Sequence, residues 1–218
     1  MYIAIEGVIG VGKTTLCRLL QDAFQALLLL EKFEENPFLA KFYEYQARYA
    51  FQTQIFFLLS RYRQLSEALP SAVQRGVPVV ADYAFAKDSL FAHLNLAGEE
   101  LAVYHQVHDA LAEKLPAPDL IVYLQASTRT LMQRIALRDR SYEREMSVDY
   151  IEALNQTYER FYLEHRWSAP VLLVETDHLD YVRNPQDLQL VENRIRQALH
   201  LPPFQSSLLP DIGARQEP

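Results

Sequence analysis

The sequence predicts an α/β fold: a five-stranded parallel sheet with helices on both faces, forming a single domain over residues 1–200. Three observations predict it. Five short apolar runs, at residues 2–6, 27–30, 77–81, 120–124 and 171–174, are continuous rather than alternating, as in strands covered on both faces. Stretches with helical spacing separate them, and strands alternating with helices build parallel sheets. The first run leads through a glycine-rich loop straight into the first helical stretch.

Taken in order, residues 2–6 are apolar and β-prone, with glycines ending the run, and residues 13–26 space their apolar side chains at helical intervals. The four leucines at 27–30 read as a second buried strand. Asn36-Pro37 reads as a helix start, with Asn as N-cap and Pro in the first helical position. Helical character then runs over 38–75, broken near Tyr45 and again near Pro70. Gly76 bounds the third strand, and helices over 88–96 and 99–115 follow it. Pro116 and Pro118 flag the fourth strand. Helices over 128–138 and 148–167 precede the fifth, and Pro185 opens a last helix ending near His200. Residues 201–218 hold four prolines and no periodicity, so a loosely ordered tail is expected. The spacing of Leu90, Leu94, Leu101 and Leu111 suits either a partner helix or the chain's own core.

Half of the 218 residues are apolar, enough for one well-buried domain. The net charge of −7 argues against a partner bound through a phosphate backbone, so no nucleic acid is expected. A small phosphate pocket stays compatible, because a few arginines in one cleft set the local field. Cys17 is the sole cysteine, which excludes an internal disulfide and paired-cysteine zinc spacing. The first strand begins at Tyr2, leaving no room for a signal peptide, and apolar stretches such as 55–59 are far too short to span a bilayer. A cytoplasmic protein that binds no membrane is the expectation.

Gly7-Val8-Ile9-Gly10-Val11-Gly12-Lys13-Thr14 fits G-x-x-x-x-G-K-[ST] in full, with Thr15 beside it, between a strand and a helix. The glycines let backbone N–H groups converge on phosphates, and the helix N-terminus adds favourable potential. Lys13 would reach the β- and γ-phosphates of ATP, and the Thr14 hydroxyl would ligate Mg²⁺. The fold expected is therefore of P-loop NTPase type. No N-K-x-D guanine-reading sequence occurs, and the third strand ends in Ala81-Asp82, without the acidic pair of many ATPases.

The acceptor side is read from scattered residues. Glu31 follows the second strand at its carboxyl end, where open α/β sheets place ligands, and a carboxylate there can take a proton from an attacking hydroxyl. Residues 49–62 are helical and apolar nearly all round, the mark of a buried helix. Gln54 and Arg61 interrupt them seven residues apart, hence on one face, and buried polar groups need partners. Arg134, Arg138 and Arg140 lie on the end of a helix and the loop after it. They are read either as a clamp on a transferring phosphoryl group or as part of a solvated charge run.

Glu31, Asn36-Pro37-Phe38-Leu39, Phe42-Tyr43, Tyr49-Ala50-Phe51, Gln54 and Arg61, in that order, resemble the deoxynucleoside kinases, particularly their bacterial purine-specific members. The resemblance covers residues 2–200. It implies a deoxyribonucleoside phosphorylated on its 5′-hydroxyl, Glu31 as general base, Gln54 and Arg61 reading the base, and Tyr43 and Glu143 holding the 3′-hydroxyl. It also implies an arginine-rich lid carrying Arg134, Arg138 and Arg140, Asp177 near the donor adenine, and a homodimer. One stretch departs from the family pattern. Where most members end strand three with an acidic residue, arginine and serine, this chain has Ala81-Asp82-Tyr83. Asp82, beside the acceptor, could then hold Mg²⁺ through water. The same stretch with Lys87, Phe91 and Ala92 looks like bacterial deoxyguanosine kinases, and Lys87, a donor-only group, would favour guanine's N7/O6 edge. A nucleoside monophosphate kinase of thymidylate-kinase type and a non-catalytic kinase-like subunit remain the alternatives.

Overall fold

The computed structural model describes residues 1–140, 143–144, 146–164 and 169–203. The end of the helix expected over 148–167 and most of the expected tail lie outside these residues. The strands are β1 (Tyr2–Gly7), β2 (Leu27–Leu29), β3 (Val79–Ala81), β4 (Leu120–Gln125) and β5 (Val171–Glu175). They pair in parallel in the order β2-β3-β1-β4-β5. The helices are α1 (Lys13–Phe24), α2 (Leu39–Glu44), α3 (Gln46–Gln74), α4 (Lys87–Asn95), α5 (Gly98–Ala112), α6 (Thr128–Arg138), α7 (Val148–Glu164) and α8 (Pro185–Ala198).

Strand pleating divides the core. Ile3 and Ile5 point to one face, under Leu16 and Leu20 of α1, Leu131 of α6, Leu154 of α7 and Val191 of α8. Tyr2 and Ala4 point to the other, under Phe42 of α2, Leu58 and Leu65 of α3 and Tyr104 of α5. Burying a single leucine or isoleucine side chain contributes about 1.5–3 kcal/mol, so this pattern locks the register of the central strand. The chain leaves β1 toward β2 on one side and later crosses from β3 to β4 on the other. That reversal opens the crevice at the carboxyl end of β1, where open sheets take ligands.

Several expectations are corrected. The leucines of residues 27–30 form an edge strand and not a buried one, with Leu27 36% exposed. The third strand starts at Val79 and not at 77, because Pro78 has no N–H to give to a ladder, and pairing begins where Val79 N donates to Met1 O. The Asn36-Pro37 helix start is displaced. Residues Phe33–Glu35 make a 3₁₀ turn, and the Asn36 side chain accepts from Phe38 N (3.0 Å) and donates to Thr53 O (3.3 Å), so α2 begins only at Leu39. The break near Tyr45 is present, but Pro70 lies inside an unbroken α3. Its ring is exposed, on the outer face of the helix, while Leu69 and Ala72 stay buried. Residues 49–62 are buried on one face only, and Leu59 is exposed. Leu90 is buried in the chain's own core, and Leu94, Leu101 and Leu111 pack against it half-buried. No helix among the described residues is long and apolar enough to cross a membrane.

Candidate active site

Gly12 closes the glycine loop at the N-cap of α1 with φ 105°, a conformation that side chains rarely adopt. A Cβ there would also collide with the Tyr181 hydroxyl, which donates to Val11 O at 3.3 Å. No side chain caps α1, so its first N–H groups are left for an anion. Lys13 Nζ turns back onto the carbonyls of Gly7 (2.7 Å) and Val8 (3.1 Å). Burial and then the nearby Lys87 ammonium lower its proton affinity, which arriving phosphates would restore. Arg134 braces the same loop, donating to Val11 O (3.1 Å), Thr176 Oγ1 (2.9 Å) and Thr176 O (2.7 Å). This donor-side cavity is lined by Gly10, Gly12, Thr15, Arg18, Arg134 and Arg183, among others.

The second cavity opens on the acceptor side and holds Ile9, Glu31, Tyr43, Gln54, Arg61 and Lys87. Glu31 arrives from the end of β2, and its carboxylate is shared by two buried cations. Lys87 Nζ stands 3.0 Å from Oε2, and Arg61 bonds Oε1 through Nε (2.9 Å) and through its terminal nitrogen Nη2. Burial raises the Glu31 carboxyl, but Arg61 and Lys87 outweigh it and hold it below the usual carboxylate range. The other end of the Arg61 guanidinium is held by Asp88, which is fully buried. Burial pushes the Asp88 carboxyl up to about 6, against the pull of Arg61.

Lys13, Thr14, Arg138 and Arg140 line both cavities, so the two spaces meet at the end of the glycine loop. Asp82 sits at that junction. Its Oδ2 accepts from Thr14 Oγ1 (2.5 Å) and its Oδ1 from Glu31 N (2.7 Å), tying the loop to the acceptor carboxylate. Among the described residues no group of three or more His, Cys, Asp and Glu could hold a metal ion. A hydroxyl and one carboxylate suit a cation such as Mg²⁺, which keeps waters and takes the rest of its shell from phosphates. Thr14 and Asp82 fit that role.

At the end of α6, Arg138 forms a two-pronged pair with Glu143 (3.1 and 2.6 Å), while Arg140, just past it, lies 4.0 Å over the Phe33 ring and 3.7 Å from Glu143. Of the expected residues, Gly7, Val8 and Asp177 line neither cavity, and Asp177 is the one whose side chain is taken up elsewhere. It accepts from Ser127 N (2.9 Å) and Ser127 Oγ (3.3 Å) at the start of α6, so its carboxylate is committed to the helix terminus. Lys87, expected to face a base, lines this cavity with its ammonium on Glu31, because an almost fully buried lysine needs an anion and Glu31 is within reach.

Sequence reasoning missed Glu6, Asp88, Thr176 and Tyr181. Glu6 is fully buried, accepting from Gly7 N (3.3 Å) and Ala84 N (2.5 Å) and clipping the glycine loop to the segment leading into α4. A signal existed, since a carboxylate ending an apolar strand run needs partners. Asp88 gave none, because an acidic residue in a first helical turn is ordinary.

The family model of the deoxynucleoside kinases matches residues 3–200. A deoxyguanosine kinase of Bacillus subtilis (strain 168) is 36% identical over 201 residues, covering 91% of this chain and 97% of that one. A deoxyadenosine kinase of Dictyostelium discoideum is 33% identical, with 79% and 71% covered. The solved structure of deoxyadenosine kinase from M. mycoides with bound dATP shares 27% identity at a TM-score of 0.77, covering 90% of this chain and 99% of that one.

Proposed function

This chain belongs to the deoxynucleoside kinase family and is a deoxynucleoside kinase, and from that premise we propose that it phosphorylates a purine deoxyribonucleoside on its 5′-hydroxyl. The donor is ATP with Mg²⁺, deoxyguanosine is the preferred acceptor, and nucleotide salvage is the role. The observation that carries the reading is the meeting of two cavities at Lys13 and Thr14, one built on a phosphate loop and the other on a buried carboxylate.

In this reading the loop N–H groups and Lys13 hold the β- and γ-phosphates. Thr14 and Asp82 hold Mg²⁺, which neutralises phosphate charge when bound. Glu31 orients the 5′-hydroxyl and receives its proton, a role suited to a carboxylate kept ionised by Arg61 and Lys87. Gln54 and Arg61 read the base edge, and Tyr43 with Glu143 holds the 3′-hydroxyl. Arg138 and Arg140 leave their present partners for the transferring group. Arg134 holds the loop's shape through Val11.

The 36% identical relative supports guanine, and the Dictyostelium relative favours adenine as a second reading. A panel of deoxynucleosides with ATP and Mg²⁺, read by product chromatography, tests both. Deoxyguanosine should give the highest kcat/KM, and a higher value for deoxyadenosine would select the second reading. Deoxynucleoside monophosphates turned over in preference would sink the proposal. A homodimer and a cytoplasmic location complete the reading on family resemblance, and light scattering behind size exclusion reads the first.

A further inference from the structure

We propose that Lys87 belongs to the phosphoryl-transfer centre, its ammonium meeting the acceptor oxygen and the transferring phosphoryl group beside Glu31, and that it does not select the purine. The inference rests on the reading of the site as a 5′-kinase and assigns the cation on its acceptor side.

Lys87 is the first residue of α4, a place where a lysine side chain ordinarily runs out to water. Here it is only 4% exposed. Its stem turns inward past Phe91, and Nζ stops 3.0 Å from Glu31 Oε2. The other carboxylates nearby each hold a partner of their own, although Asp88 Oδ2 takes no hydrogen bond. Glu6 accepts from two backbone N–H groups, Asp82 from Thr14 and Glu31 N, and Asp88 from Arg61. Lys87 therefore shares Glu31 with Arg61. Lys13 lines the same cavity as Lys87, and the Lys87 charge helps to lower the Lys13 proton affinity. Two cations, Lys87 buried and Lys13 half-buried, thus line the acceptor cavity, and Lys13 marks its meeting with the phosphate loop.

The chemistry needs a cation there. A hydroxyl donating to Glu31 lies about 2.7 Å from a carboxylate oxygen, which places it beside the Lys87 ammonium. During transfer the bond from O5′ to the γ-phosphorus forms and the bond from that phosphorus to the β,γ-bridging oxygen breaks. The electron pair of the broken bond leaves with ADP, and the hydroxyl proton passes to Glu31. Negative charge spreads over the three equatorial oxygens. Lys13 meets it from the donor side, and Arg138 and Arg140 line both cavities. Asp82, at the end of β3, brings no positive charge. Lys87 supplies it and keeps its own proton throughout.

The test compares wild type, Lys87→Met and Lys87→Arg with deoxyguanosine and deoxyadenosine. It adds Lys87→Cys before and after alkylation with 2-bromoethylamine, which rebuilds a lysine-like cation. Cys17, the other cysteine in that variant, is fully buried. Lys87→Met should lower kcat about 10²–10³-fold, by the same factor for both nucleosides, with KM little changed and ATP binding kept. Lys87→Arg and the aminoethylated protein should recover much of the loss, whereas iodoacetamide, which adds no charge, should not. Should Lys87→Met fail to fold, the arginine variant and the two alkylated forms decide. A kcat within about threefold of wild type would overturn the proposal. So would an altered deoxyguanosine to deoxyadenosine ratio at unchanged kcat, or equal rescue by both reagents. Absence of turnover in wild type would instead overturn the 5′-kinase reading, and the role of Lys87 with it.

Discussion

The donor side of this enzyme is made mostly of consecutive residues and backbone, whereas the acceptor side is made of side chains from β2, α3, β3 and α4. At the loop, N–H groups and left-handed glycines shape the cradle, and few side chains touch it beyond Lys13, Arg134 and Tyr181. At the acceptor, Glu31, Arg61, Lys87 and Asp88 form one buried ionic group in which each member is a partner of another. A backbone cradle tolerates side-chain truncation and fails when the backbone is forced. A buried ionic network is most sensitive where removing a charge leaves a fully buried partner alone, as removal of Arg61 does for Asp88.

The largest expected effect attacks the acceptor carboxylate. Glu31→Gln keeps shape and ATP binding but removes the proton acceptor, so kcat should fall about 10²–10⁴-fold, read by steady-state kinetics beside an ATP titration. Retained turnover at saturating acceptor would exclude Glu31 as base and leave the contrast between the two sides unsupported.

Arg61→Leu strands Asp88 and should cost about 3–5 kcal/mol of stability at pH 8, measured by urea unfolding. The sign with pH follows from the Asp88 carboxyl, already raised to about 6 with Arg61 present and pushed further up without it. A folded-state value above the unfolded one gives stability that is complete below the unfolded value and is lost as pH rises through the folded value. The deficit should therefore shrink as pH falls toward 5, and Arg61→Leu/Asp88→Asn should be flat over that range. A deficit independent of pH would show that Arg61 matters through packing alone.

On the donor side, Gly12→Ala forces a non-glycine residue to φ 105° and drives its methyl into Tyr181. The strain is worth about 1–3 kcal/mol and should appear as lost ATP affinity by calorimetry. Adding Tyr181→Phe should return part of it, separating collision from backbone strain. Full recovery would mean that the left-handed conformation carries no cost of its own.

The smallest effect belongs to neither side. Ser127 caps α6 by accepting from Thr130 N (3.3 Å), and Ser127→Ala should cost about 1 kcal/mol by thermal unfolding, with kcat unchanged. A change in turnover would mean that the start of α6 is coupled to the arginines at its other end.

The same contrast explains what was legible in the sequence. The glycine loop is contiguous, so its spacing carries its geometry, and the parallel sheet followed from runs too apolar to face water. Glu31 was legible from its place at a strand end, and Gln54 with Arg61 from their interruption of an apolar helix. Pro70 and Asn36 misled because local signals were read without their surroundings. Pro70 lies on the exposed face of a helix packed by its other face, and Asn36 serves Thr53, seventeen residues away in the chain. Asp88 was invisible, since nothing in its neighbours announces that Arg61, twenty-seven residues earlier, will bury against it.

By itself, then, the sequence determined the α/β class, the phosphate loop with Lys13 and Thr14, and the candidate acceptor carboxylate, because each rests on spacing within a few residues or on one apolar pattern. The tertiary structure alone decided that β2 is an edge strand, that Asp82 ties Thr14 to Glu31, and that Lys87 rests on Glu31. Those outcomes depend on which charges burial brings together. A buried charge takes the partner that the fold places within reach, whatever role its position along the chain suggests.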